Sequence, residues 1–145
     1  ARTRAADDLV ISGSAFTDAF YGTEGTFFVT ANLKEVEKNY ALIRGGSNNQ
    51  LFIYSNQPTS TINSFDGSFA GHVGSGPLNQ DTNIALSWDS TEFTTAQDGV
   101  IHQDATQPHN GNFSLATEIE IGSGYGTMNG HIKRLIYWPT HSDNL

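Results

Sequence analysis

The chain has 145 residues, 37% of them hydrophobic and 15% charged, so a single domain around one apolar core is expected and a charged disordered tail is excluded. A net charge of −8, with only seven scattered Lys and Arg, lacks the basic stripe that phosphate binding requires, so no nucleic-acid partner is expected. No apolar run approaches the roughly 20 residues of a spanning helix, so no membrane insertion is expected, and the absence of Cys removes disulfides, thiolate metal sites and a Cys nucleophile.

The opening Ala1-Arg-Thr-Arg resembles an interior cut, and residues 1–145 are read as one domain forming the C-terminal part of a longer chain. Leu9-Val-Ile-Ser is the first candidate strand. Gly25-Thr-Phe-Phe-Val-Thr-Ala is the second; its period of two sends Phe27, Val29 and Ala31 to one face and Thr26, Phe28 and Thr30 to the other. Ala41-Leu-Ile-Arg and Leu51-Phe-Ile-Tyr-Ser flank Gly45-Gly-Ser-Asn-Asn as a hairpin with a longer loop. Thr61-Ile-Asn-Ser-Phe is a weaker strand, and Asp66 to Asp81 is Gly-rich and weakly patterned, a long surface connection.

Asn83-Ile-Ala-Leu-Ser-Trp alternates, with Ile84, Leu86 and Trp88 inward and Ala85, Ser87 and Asp89 outward. Asp89-Ser-Thr turns the chain into Glu92-Phe-Thr-Thr-Ala-Gln. Asp98-Gly99 marks a two-residue type I′ hairpin, whose central residues both need positive φ, and Val100-Ile-His returns. Ser114 to Ile121 and His131 to Trp138 complete ten strands with turn signals between them, the pattern of an all-β, antiparallel sandwich or barrel. The helix candidates are Leu33-Lys-Glu-Val-Glu-Lys, too short to stand alone, and a final turn at Ser142-Asp-Asn-Leu.

Three segments resemble laminin-G-like domains of the concanavalin A-like group: Trp88-Asp-Ser-Thr-Glu-Phe-Thr-Thr-Ala-Gln-Asp-Gly, Leu115 through Ile121-Gly122, and Met128-Asn-Gly-His-Ile-Lys-Arg-Leu-Ile-Tyr-Trp-Pro. Arg4-Ala-Ala-Asp, Thr23-Glu-Gly-Thr-Phe and the Gly130-to-Pro139 ending are similar to C-terminal domains of bacteriophage tail, fibre or other virion proteins. The resemblance implies a two-sheet antiparallel β-sandwich, a jelly roll, acting as a non-catalytic virion module. It would recognise host-surface glycans outside the cell and assemble with copies of itself, as a trimer for example, or with other virion proteins. Fold alone does not assign a ligand; a purely structural assembly domain of a tail or head appendage is the alternative.

Glycan sites stack a sugar face on an aromatic ring while amides and carboxylates take the hydroxyls. Tyr125, set in the loop Ser123-Gly-Tyr-Gly-Thr where no core periodicity explains it, is the first candidate, with His102, Asn112, Asn110 and Tyr54 as lesser ones. Trp88 falls in phase with the core, and Trp138 is expected to be half-buried against the terminus. Glu118 and Glu120 share a strand face and are the one pair compatible with glycoside hydrolysis. The longer acidic run of jelly-roll hydrolases is missing, since position 122 is Gly. His102, Asp104 and His109 lack a zinc spacing. No other cofactor is indicated; calcium, which relatives of this fold carry at the sheet rim, would use Asp98 and Asp104 with Asn112. Gly122-Ser-Gly-Tyr-Gly precedes a strand rather than a helix, so it is a hairpin loop and not a phosphate loop. Lys133 and Arg134 point to opposite faces of the last strand, and one of them is expected to pair with an acid such as a Glu of the 118–120 strand.

Overall fold

A computed structural model describes residues 9–20, 23–34, 40–45, 52–56, 61–65, 70–75, 79–105, 117–122, 130–142 and 145. Eleven strands and one short helix follow in chain order: β1 (Leu9–Ser12), α1 (Ser14–Phe20), β2 (Gly25–Leu33), β3 (Tyr40–Gly45), β4 (Phe52–Asn56), β5 (Thr61–Phe65), β6 (Ala70–Ser75), β7 (Asp81–Trp88), β8 (Phe93–Gln97), β9 (Val100–Ala105), β10 (Glu118–Ile121) and β11 (Gly130–Trp138). They form two antiparallel sheets, one in the order β1-β10-β3-β4-β5-β6 and the other β11-β2-β7-β8-β9. The expected antiparallel two-sheet sandwich is the observed fold.

The period-two pattern decides which faces meet. Phe27, Val29 and Ala31 of β2, Leu86 and Trp88 of β7, and Phe93 of β8 enter the core from the five-stranded sheet. Leu42, Ile43, Ile119 and Ile121 meet them from the other sheet. Phe27 stacks on Trp88 at 5.7 Å between ring centroids, and Tyr137 of β11 lies 5.0 Å from Phe27. β2 passes directly under these rings at Gly25, where a Cβ would fall 2.7 Å from the Trp88 ring and 2.8 Å from Tyr137. Only glycine fits that crossing without displacement. Asp98 and Gly99 have φ of 50° and 80°, the two left-handed residues of the expected hairpin turn.

Four expectations change. The Gly-rich 66–81 stretch contains β6, because strand pairing with β5 organises a segment whose own pattern is weak. The helix lies at Ser14–Phe20, where Phe16 and Phe20, four apart, share one face and stack at 5.6 Å in the core. Seven residues are too few to hold a helix alone, so this packing maintains it. Leu33 ends β2 rather than opening a helix, and residues 35–39 of that candidate lie outside the described residues; Ser142 is not helical, and residues 143 and 144 are likewise outside. Finally, Lys133 is the extra residue of a bulge in β11 and pairs with Asp81 at 2.6 Å, while Glu120 faces Arg44 at 4.0 Å. The expected pairing with a surface acid is thus present, but through Asp81 of the same sheet and not through a Glu of β10, which belongs to the other sheet.

Candidate functional site

The outer face of the five-stranded sheet is where the chain departs from simple alternation. Thr26, Ala85, Ser87, Thr94 and Ala96 point away from the core yet are all buried. The segment that follows β11 bonds to two of them, Thr26 and Ser87. Ser142 N–H donates to Ser87 Oγ at 2.7 Å, and Thr26 Oγ1 donates to Thr140 O at 2.8 Å. Thr26 Oγ1 and Ser87 Oγ are 3.0 Å apart. Since the Thr26 hydroxyl spends its proton on Thr140, Ser87 donates to Thr26, giving one directed chain from Ser142 through both hydroxyls to Thr140. His141 N–H adds a 3.3 Å bond to Glu24 Oε2.

Beside this strap lies a groove of about 580 Å³, within the range of small-molecule sites. Register places Phe28, Ala85 and Ala96 in one row across β2, β7 and β8, and these form its base. Two alanines in adjacent strands leave room that larger side chains would fill. Trp138 stands at one wall with Thr140, His141 and Ser142, while Asn83, Asp98 and Gly99 stand at the other. Trp138 is 45% exposed, in line with the expected half-burial, and it lines the groove together with residues of the strap. Arg134 lies 5.7 Å from the centroid of the Phe28 ring, a cation–π contact at the groove's edge.

The polar wall is held in place before any ligand arrives. Asp98 Oδ1 accepts from Asn83 N–H at 2.9 Å, and Asp98 N–H donates to Asn83 O at 2.9 Å. Thr30 Oγ1 donates to Asn83 Oδ1 at 2.9 Å, which orients the amide. The second Asp98 oxygen and the Asn83 amino group are therefore available as an acceptor and a donor on a fixed frame.

A second cluster abuts the groove through His141. Asp89 Oδ1 accepts from Thr91 N–H (2.6 Å), Thr91 Oγ1 (2.8 Å) and Glu92 N–H (2.9 Å), which closes the expected β7–β8 turn. These bonds, led by that from the Thr91 amide, hold the Asp89 carboxyl below the usual carboxylate range. Its other oxygen, Oδ2, stands 3.9 Å from His141 Nδ1, and Glu92 Oε1 is 3.9 Å from the same nitrogen.

The residues singled out from sequence are spread over the molecule. Asp98 is in the groove. His102 is exposed at a bulge of the edge strand β9. Asp104 sits along β9 opposite Thr94, and at about 3.3 Å of rise per residue that is on the order of 15 Å from the Asp98 turn. Tyr54 lies in β4, opposite Ala41 and Asn63 in the other sheet. Tyr125, Asn110, Asn112 and His109 lie outside the described residues. Glu118 and Glu120 alternate with buried Ile119 and Ile121 on the outer face of the six-stranded sheet, not beside the groove. Sequence reading missed Asn83, Trp138 and the Asp89–Glu92–His141 cluster as site residues. Trp138 sits at the end of a strand in the outward phase, opposite Thr26, and that phase was the available signal.

No family model matches the sequence, and no curated protein matches it either. Solved structures do match in shape. The Ruminococcus gnavus IT-sialidase CBM40 bound to α2,3-sialyllactose superposes with a TM-score of 0.72 at 12% identity, covering 95% of this chain and 88% of that one. A native heptameric SAP-like pentraxin from Limulus polyphemus gives 0.64 at 13% identity, over 85% and 67% of the two chains. A botulinum neurotoxin type C structure, whose cell entry depends on interaction with two ganglioside molecules, gives 0.69 at 8% identity; the match covers 94% of this chain and 37% of the toxin chain. The fold is an antiparallel two-sheet jelly roll, shared with these structures.

Proposed function

We propose that this domain is a non-catalytic carbohydrate-binding module that takes a glycan in the groove on the outer face of its five-stranded sheet. The observation that carries the reading is Trp138: a large aromatic ring, 45% exposed, facing a concave site whose opposite wall presents Asn83 and Asp98. An apolar sugar face stacks on such a ring, and the fixed amide and carboxylate take the hydroxyls. Glycan binding by structures of this shape supports the reading, since the Ruminococcus module was solved with sialyllactose and the neurotoxin interacts with gangliosides. A hydrolase needs two carboxyls across the scissile bond. Among the described lining residues the groove offers only Asp98, which favours binding over cleavage.

The finer reading rests on the sequence resemblance. The domain belongs to a bacteriophage virion, on a tail fibre or other appendage, and contacts host-surface glycans during attachment; affinity per site is weak and copy number supplies strength. A glycan array followed by calorimetry tests the module. Binding of at least one glycan, reduced about tenfold or more in Trp138→Ala, is expected from loss of a stacking platform. No binding by a folded wild type overturns it. Labelled protein that coats bacterial cells, and fails to do so as Trp138→Ala, tests the attachment role. Exposed Leu9 and Val10 on β1, with Val100 and Ile101 on β9, favour a second reading as an assembly domain; a glycan-blind protein that forms trimers by light scattering would support it.

A further inference from the structure

We propose that Asp89, Glu92 and His141 form a binding site for a divalent cation of the zinc class. One ligand atom from each residue lies within 4.8 Å of the others. They come from two parts of the chain: Asp89 and Glu92 from the β7–β8 turn, and His141 from the strap after β11.

The donor set, one ring nitrogen and two carboxylate oxygens converging from two parts of the chain, is that of a cation site. His141 Nδ1 stands 3.9 Å from Asp89 Oδ2 and 3.9 Å from Glu92 Oε1, beyond hydrogen-bond reach of either. Atoms held about 2.0–2.2 Å from a tetrahedral ion are about 3.3–3.6 Å apart, so His141 needs to close by only a few tenths of an ångström, and the two carboxylates, within 4.8 Å of each other, by no more than about 1.5 Å, a side-chain rotation at two partly exposed acids. The His141 side chain is only 10% exposed, and those of Asp89 and Glu92 are 28% and 35% exposed. Two carboxylates beside one imidazole, partly screened from water, offer the anionic oxygens and the ring nitrogen that a divalent ion takes.

Both sides of the site are anchored independently of any ion. Three hydrogen bonds hold Asp89 Oδ1 and direct Oδ2 outward, and the hydroxyl chain through Ser87 and Thr26 holds the residues on either side of His141. One nitrogen and two carboxylate oxygens suit zinc or manganese; calcium prefers six to eight oxygens and takes imidazole poorly. Three protein ligands leave a fourth position open.

Calorimetry on chelator-treated protein, with zinc chloride and calcium chloride as titrants, tests the assignment. One zinc per chain is expected, with a raised unfolding midpoint in its presence, and calcium is expected to give no comparable heat. His141→Ala and Glu92→Gln should each weaken zinc by about tenfold or more, since each removes one of three ligands. His102→Ala, at an exposed imidazole elsewhere, should leave the titration unchanged. Glu92→Gln keeps His141 and the strap, so it remains informative if His141→Ala fails to fold. No zinc binding below about 1 mM, an unaltered titration in folded Glu92→Gln, or calcium binding as tight as zinc overturns the proposal.

Discussion

Both faces of the five-stranded sheet carry buried residues, held there by different forces. The inner face is closed by apolar area: Phe27, Val29, Leu86, Trp88 and Phe93 meet the opposite sheet. The outer face carries Thr26, Ser87 and Thr94 with two alanines, a surface that alternation assigns to water, and a short strap is fastened to Thr26 and Ser87 through hydroxyl and amide bonds. Apolar burial is non-directional and tolerates adjustment. A hydroxyl chain is directional, and a buried polar group that loses its partner costs far more than the bond contributes when made. The inner face thus holds the fold together, whereas the outer face fixes where one segment lies, and with it the groove wall and His141.

Four substitutions separate these roles. Trp88→Ala should be the most damaging, at about 3–5 kcal/mol of unfolding free energy by chemical denaturation, because it removes the largest fully buried side chain and leaves a cavity against Phe27 and Tyr137. Ser87→Ala should cost about 1–3 kcal/mol through the orphaned Thr26 and Ser142 groups. It should also speed hydrogen exchange at the Ser142 amide without changing exchange in the core strands. Equal protection in both regions would mean that the strap does not depend on the hydroxyl chain.

Tyr137→Phe should be near neutral at pH 7, because the phenol oxygen is buried with no hydrogen-bond partner among the described residues. Burial, with Glu24 adding to it, raises the Tyr137 pKa. A raised acid holds its proton longer when folded, so its contribution is complete below the unfolded value of about 10 and is lost as pH rises through the folded one. Wild type should therefore lose stability above about pH 10 relative to Tyr137→Phe, and parallel alkaline unfolding curves would count against this burial. Lys133→Ala should also have a small effect, about 0–1 kcal/mol and diminishing with salt, since Lys133 and Asp81 are 53% and 45% exposed.

Alternation in the sequence was sufficient for the sandwich, the inward placement of Trp88, and the turn at Asp98-Gly99, because a period of two and a requirement for positive φ are local properties. The outward phase of Glu118 and Glu120 was legible for the same reason. The Phe16–Phe20 spacing of α1 was also present in the sequence, but a seven-residue helix exists only through its packing. Strand β6 was hidden because Gly-rich residues form a strand only when a neighbour pairs with them. The groove and the Asp89–Glu92–His141 cluster were not legible at all. Both require residues near position 140 to lie across strands 50 to more than 100 positions earlier, and only tertiary folding, by bonding the strap to Ser87 and Thr26, sets that juxtaposition.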